Sequence, residues 1–163
     1  MAVVLWVPTA AVLVWADRGS APPADEPIAG DTREEVRMLP EEREFVLWRM
    51  RENLVAMHKI LEAAARDDMR ELARLADETA KVPFINIQMP SLRGVIPPPW
   101  RQLGKLVHGE LGDLAKAAER DLPKSELPER LAKITAGCVS CHNTYRIGPE
   151  DPERPADARR RFP

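Results

Sequence analysis

Apolar residues recur at helical spacing in four stretches of the chain, and no stretch keeps the two-residue alternation of a half-buried strand. The first opens at Pro40, a residue tolerated in a first helical turn, with Glu41, Glu42 and Glu44 beside the positive end of the helix dipole. From there to about Ala65, Leu47, Met50, Leu54, Met57 and Leu61 fall on one stripe, while Arg51, Glu52, Lys59 and Glu62 lie largely off it. Such a stripe must face a core. After a break at Arg66-Asp67-Asp68, where an aspartate can cap, Met69, Leu72, Leu75, Ala76 and Thr79 carry the period to about Lys81. The third stretch holds Trp100, Leu103, Leu106, Val107, Leu111, Leu114 and Ala118 and ends near Asp121, before Pro123. Gly104, Gly109 and Gly112 each weaken it by roughly 1 kcal/mol relative to alanine, so close packing is expected to compensate there. The last helix starts near Ser125, with Pro128 in its first turn. It runs through Leu131, Ile134, Cys138, Cys141 and Tyr145 to about Arg146, with Gly148-Pro149 as its stop.

The connections differ in kind. Between Val82 and Pro99, Pro83, Pro90, Pro97, Pro98, Pro99 and Gly94 forbid a long helix, yet Phe84, Ile85, Ile87, Met89, Val95 and Ile96 are apolar. That loop is expected to wrap against the helices. Residues 17–37, rich in Pro, Gly, Ala and acidic side chains, read as a flexible linker, and residues 149–163, charged and proline-rich, as a disordered tail. Residues 38–148 are left as one helical domain, and four helices with short connections predict an all-α fold, an antiparallel four-helix bundle.

Composition adds limits. The 163 residues carry 44% hydrophobic and 31% charged side chains, an ordinary globular balance for one domain. Lys and Arg number 24 against 26 Asp and Glu, and no basic stripe points to nucleic acid as a partner. The N-terminal run from Ala2 to Ala16 is apolar apart from Thr9 and is shorter than the roughly 20 residues that a membrane span needs. Residues 1–16 fit the apolar region of an export signal, with Val14-Trp15-Ala16 as a small-residue cleavage site; no Lys or Arg precedes the run, and an uncleaved N-terminal anchor is the other reading. Either predicts an exported, periplasm-like location.

The two cysteines sit in Cys138-Val139-Ser140-Cys141-His142, which is C-x-x-C-H, the attachment signature of a c-type haem. On a helix, positions three apart lie on neighbouring parts of one face, so each thiol can reach one of the two vinyl groups along a haem edge. His142, next in line, can turn an imidazole nitrogen to the iron as the proximal ligand. Three other chemistries compete. A thioredoxin-like pair wants a βαβ setting and a helix N-terminus that depresses the first thiol. Structural zinc wants a further ligand pair, whereas His58 and His108 are isolated in sequence. A plain disulfide, or two inert thiols, is the third. The export signal favours haem, because haem c is assembled outside the cytoplasm.

A four-helix pattern with Cys-Val-Ser-Cys-His-Asn-Thr-Tyr-Arg near its C-terminal end resembles the cytochrome c prime family, the class II c-type cytochromes. The resemblance covers roughly residues 38–148. It is carried by Cys138, Cys141 and His142 on the last helix, by Arg146 four residues later, and by a first helix reading Trp48-Arg49-Met50-Arg51. It implies a haem within the bundle, His142 as proximal ligand, and a first-helix side chain over the distal face. Members with methionine there are six-coordinate and transfer electrons; members with a non-ligating residue are five-coordinate and bind nitric oxide or carbon monoxide. The resemblance places Met50 nearest that position and is closer to the methionine-ligated members. It departs from the usual pattern at Val46, where the family carries an arginine four residues before the methionine. Met57, seven residues from Met50, projects from the same stripe and is the second choice, with Met89 an outsider; a core role is the alternative for each.

The resemblance also implies a haem-site role for Arg146, against that of a solvated charge at a helix end. His58 and His108 read as surface or satisfied histidines, Arg93 as a solvated loop residue, and Arg159-Arg160-Arg161 as a solvated run. The expectation is therefore a non-enzymatic electron carrier with one covalent haem c and redox proteins as partners. Membrane anchoring through residues 2–16 and a homodimer are compatible with it. The alternative is a gas-binding protein with an open distal site.

Overall fold

A computed structural model describes residues 30–149. The export or anchor segment, most of the expected linker and residues 150–163 lie outside the described residues. Every element below lies within the unit that begins at Thr32.

The described residues form an all-α domain with one small sheet. In chain order it comprises β1 (Glu34–Val36), α1 (Pro40–Ala65), α2 (Met69–Lys81), the single turn α3 (Ile85–Gln88), α4 (Pro98–Ala118), α5 (Leu127–Thr144) and β2 (Tyr145–Ile147). Tight 3₁₀ turns occupy Pro90–Gly94 and Lys124–Glu126. Proline stands in the first turn of α1, α4 and α5, where its missing N–H has no helical partner to lose. At the start of α1 the Glu42 carboxylate, fully buried, accepts from the Leu39 backbone N–H at 3.0 Å. Leu39 has no side-chain acceptor to complete a reciprocal capping box. Asp68 caps α2 by accepting from the Glu71 N–H at 2.9 Å. The α1–α2 and α4–α5 turns pass through Asp67 (φ 60°) and Asp121 (φ 58°), a left-handed conformation that aspartate tolerates.

Two expectations need correction. The stretch read as linker ends in a strand: β1 pairs in parallel with β2 in the register Glu34↔Tyr145, Glu35↔Arg146, Val36↔Ile147, and Val36 is buried. Two strands three residues long are too short to show alternation, and their partners are at opposite ends of the domain. The last helix stops at Thr144, not Arg146, because Tyr145 turns to extended backbone (φ −119°, ψ 146°) to enter β2. The Gly148 N–H then donates to the Val36 carbonyl at 3.0 Å, so this glycine ends the strand pairing rather than the helix.

α2 packs on both α1 and α4, and α5 packs on α4. The core falls into two clusters. The first joins Ile60 and Ala63 of α1, Leu72, Ala73 and Ala76 of α2, Leu111, Leu114, Ala115 and Ala118 of α4, and Ile134 of α5. Full burial of side chains such as Ile60, Leu72, Leu114 and Ile134 is worth about 1.5–3 kcal/mol each. The second cluster holds Val36, Met38, Val46, Leu92, Ile96 and Tyr145. The 82–99 loop does wrap onto the helices: Leu92 and Ile96 are buried, with Ile85, Met89 and Val95 packed beside them. Trp100 of α4 stacks on Tyr145 with ring centroids 5.3 Å apart.

Candidate cofactor site

The inward stripe of α5 reads Leu127, Leu131, Ile134, Cys138, Cys141, and it continues into Tyr145. Ile134 is fully buried in the first cluster and Tyr145 is buried in the second, yet Cys138 between them is exposed and Cys141 only half-buried. Helical phase puts both thiols on the face that the rest of the helix buries, and packing stops short of them. Gly137 brings α5 against α4, since a Cβ there would overlap the Val107 side chain. The thiols are therefore held at a fixed distance from the α4 backbone by a position that admits no side chain.

The same lapse recurs on the facing helices. On α1, Val46 and Ile60 are fully buried in different clusters, while Met50 and Met57 are half-buried, Asn53 is exposed and Leu54 is 72% exposed. On α4, Gly104 shares the inward stripe with Trp100, Val107 and Leu111, and a Cβ built on it would meet nothing within 4 Å. The sequence-based expectation that α4's glycines mark close packing fails at Gly104 and Gly109, which face open space; at Gly112 the contact with Ala80 Cβ is an ordinary 3.8 Å. α1 packs on α2 and α5 on α4, with no comparable packing of α1 on α5. Burial thus lapses on all three helices between the residues of the two clusters, a seam that Met50 of α1 and Cys141 of α5 both border through the second cluster.

The chemistry of the seam narrows its use. Partial desolvation by its neighbours pushes the surface-reaching Cys138 thiol up, and desolvation together with the neighbouring Cys138 pushes Cys141 up to about 11. Both lie in the C-terminal half of α5, where the dipole disfavours a thiolate. Those are the opposite of the conditions that make a thioredoxin-type nucleophile. Among the described residues, no three His, Cys, Asp or Glu side chains come together to hold an ion. Two protonated thiols and one adjacent imidazole are groups to which a flat, thioether-linked cofactor would attach. Cys138, Cys141 and His142 would hold it, and the open space at Gly104 fits that demand.

The other expected residues separate clearly. Met50 packs against the second cluster, as Cys141 does, whereas Met57 packs against the first; Met89 packs with the second cluster from the loop. In the first-helix motif, the Arg49 guanidinium lies 4.6 Å over the Trp48 ring and donates to Gln88. His58 is exposed, with its Nε2 3.6 Å from Glu62. His108 is a satisfied histidine, its Nδ1 2.9 Å from the Ala80 carbonyl and its ring against Phe84. Arg93 is exposed in the 3₁₀ turn, and the Arg159-Arg160-Arg161 run lies outside the described residues. Arg146 is in β2, not one helical turn beyond His142, and forms an ion pair with Glu35 at 2.5 Å. Sequence reasoning missed Arg33, whose guanidinium donates to the His142 carbonyl at 3.3 Å across 109 residues. No local signal links residues so far apart. It also missed Gly137, although a glycine next to the first cysteine on a packed helix was a legible mark of close approach.

Comparison with known protein families, curated proteins and solved structures found no significant match.

Proposed function

We propose that this chain is an exported monohaem c-type cytochrome of the class II kind that carries single electrons between redox proteins. Its four long helices are read as an antiparallel bundle. Haem c is held through Cys138 and Cys141, His142 is the proximal iron ligand, and Met50 is the distal one. The observation that supports the reading is the seam: on α1, α4 and α5 alike, burial lapses between residues of the two core clusters, and Met50 and Cys141 pack against the same one.

Each thiol would add its S–H across one vinyl double bond, forming one C–S and one C–H bond with no net oxidation, and chemistry of this kind needs no thiolate pair poised for disulfide exchange. Bound there, the haem supplies a one-electron ferric/ferrous couple. The chain's own residues do the rest. His142 offers an imidazole from the last turn of α5, and Met50 offers a soft thioether from α1, a pairing that raises the potential. Met50 is preferred to Met57 because it packs with the cluster that borders Cys141.

The test is maturation of the full chain in cells that attach haem c. Retention of haem through denaturation, a low-spin spectrum and a near-infrared methionine-to-ferric band are expected. Met50→Ala should abolish that band while Met57→Ala keeps it. A high-spin, five-coordinate spectrum that responds to carbon monoxide would replace the carrier reading with the gas-binding one. Lack of covalent haem would remove both.

A further inference from the structure

His142 stands in the last turn of α5, with its side chain exposed. Helix ends fray, and their final carbonyls lack helical partners. An exposed ligand in such a turn is held by little packing of its own, and an axial imidazole works only when its orientation is kept by surrounding groups. The structure supplies unusual restraint at this place. The Tyr145 N–H bonds the Cys141 carbonyl, and the Thr144 hydroxyl donates to the Ser140 carbonyl at 2.7 Å. The His142 carbonyl accepts from Arg33, a cation placed at the negative end of the helix dipole.

The chain then passes directly into β2, which is tied to β1 along its length. Behind the ladder, the Glu35 carboxylate takes Arg37 at 2.7 Å and Arg146 at 2.5 Å, with the Glu35 and Arg146 side chains only about a fifth exposed. Gly148 lies so close to Glu35 that a Cβ there would overlap the glutamate's side chain. The segment just before α1 thus closes over the residues just after the cysteine-histidine motif.

We propose that this clasp is a positioning device for the proximal ligand: Arg33, backed by the Glu35–Arg146 pair, holds the last turn of α5 so that the His142 imidazole keeps one orientation toward the seam. The proposal rests on the haem reading. Arg33, Glu35 and Arg146 are positioning residues and touch no reacting atom.

A purely structural clasp would change stability alone, so the test reads the ligand. In the full-length, haem-loaded chain, Arg33→Ala is expected to shift the midpoint potential, broaden the distribution of imidazole orientations in the ferric electron paramagnetic resonance spectrum, and speed exchange of the Tyr145 amide by about tenfold. Arg33→Lys, which keeps a cation at the helix end, should recover part of each effect. Glu35→Gln should act in the same direction. Arg146→Gln, which breaks the same pair from the other side, should act likewise, and it decides the matter if Glu35→Gln does not fold. Variants that lose thermal stability but leave potential, spectrum and local exchange unchanged would overturn the proposal. Parent protein that retains no covalent haem would overturn the haem reading and the clasp with it. Haem-loaded parent with unmoved variants overturns the clasp alone.

Discussion

Gly137 of α5 lies against the Cγ2 methyl of Val107 on α4, at a separation that a Cβ on residue 137 would close to overlap. Val107 is itself packed against the first core cluster, which limits how far it can yield. Gly137→Ala is therefore expected to destabilise the domain by about 1–3 kcal/mol, as overpacking does, despite the gain in helix propensity. Denaturant unfolding should show the loss, and Val107→Ala in the same chain should relieve part of it.

Gly104 faces the opposite situation. With nothing within 4 Å of a built Cβ, Gly104→Ala should stabilise the haem-free chain by about 0.5–1 kcal/mol through backbone entropy and helix propensity. Gly104→Trp would fill the seam, and the expected outcome is a sharply lower yield of covalent haem with the helical circular dichroism retained. Undiminished haem loading in that variant would place the group elsewhere.

The two thiols should be sluggish nucleophiles in haem-free protein. Partial desolvation pushes Cys138 up and Cys141 to about 11, so at neutral pH little of either is thiolate. Alkylation by iodoacetamide, followed by mass spectrometry, should be slow at neutral pH and accelerate steadily as pH is raised toward the Cys141 value. Fast single-site alkylation at neutral pH would mean a depressed thiol and would revive the redox-pair reading.

The Glu35 carboxyl is held below its ordinary value of 4.5, first by the hydrogen bond from Arg37 and then by the charge of Arg146, against the opposing effect of burial. A depressed carboxylate contributes stability that is present above its unfolded value and is lost as pH falls through its lower folded value. The Tm difference between the parent chain and Glu35→Gln should therefore be level from about pH 5 to 7 and shrink below about pH 4.5. A difference that grew with acidification would contradict the pairing.

Much of this protein was written locally. Helical period set α1 and α2 from Pro40 to Ala65 and from Met69 to Lys81, because a one-sided apolar stripe of that length has few other uses. Asp68 was readable as a cap, and the loop from 82 to 99 as a wrap, since its apolar residues had to be covered. The C-x-x-C-H run was readable as a motif on one helical face, because positions 138, 141 and 142 lie three and four apart within α5.

What only the tertiary structure decided is whatever depends on residues distant in sequence. The β1–β2 pairing, the Arg33 bond to His142 and the Glu35–Arg146 ion pair join the two ends of the domain, and no periodicity records such a meeting. The seam is of the same kind. Met50, Met57 and Leu54 stand on one stripe of α1 and look equivalent in sequence. Met50 is set beside the cluster that borders Cys141, Met57 in the other cluster, and Leu54 in the open, by where α2, α4 and the 82–99 loop come to rest. Helical phase chooses the face a side chain looks out from; only packing of the other elements chooses what it meets.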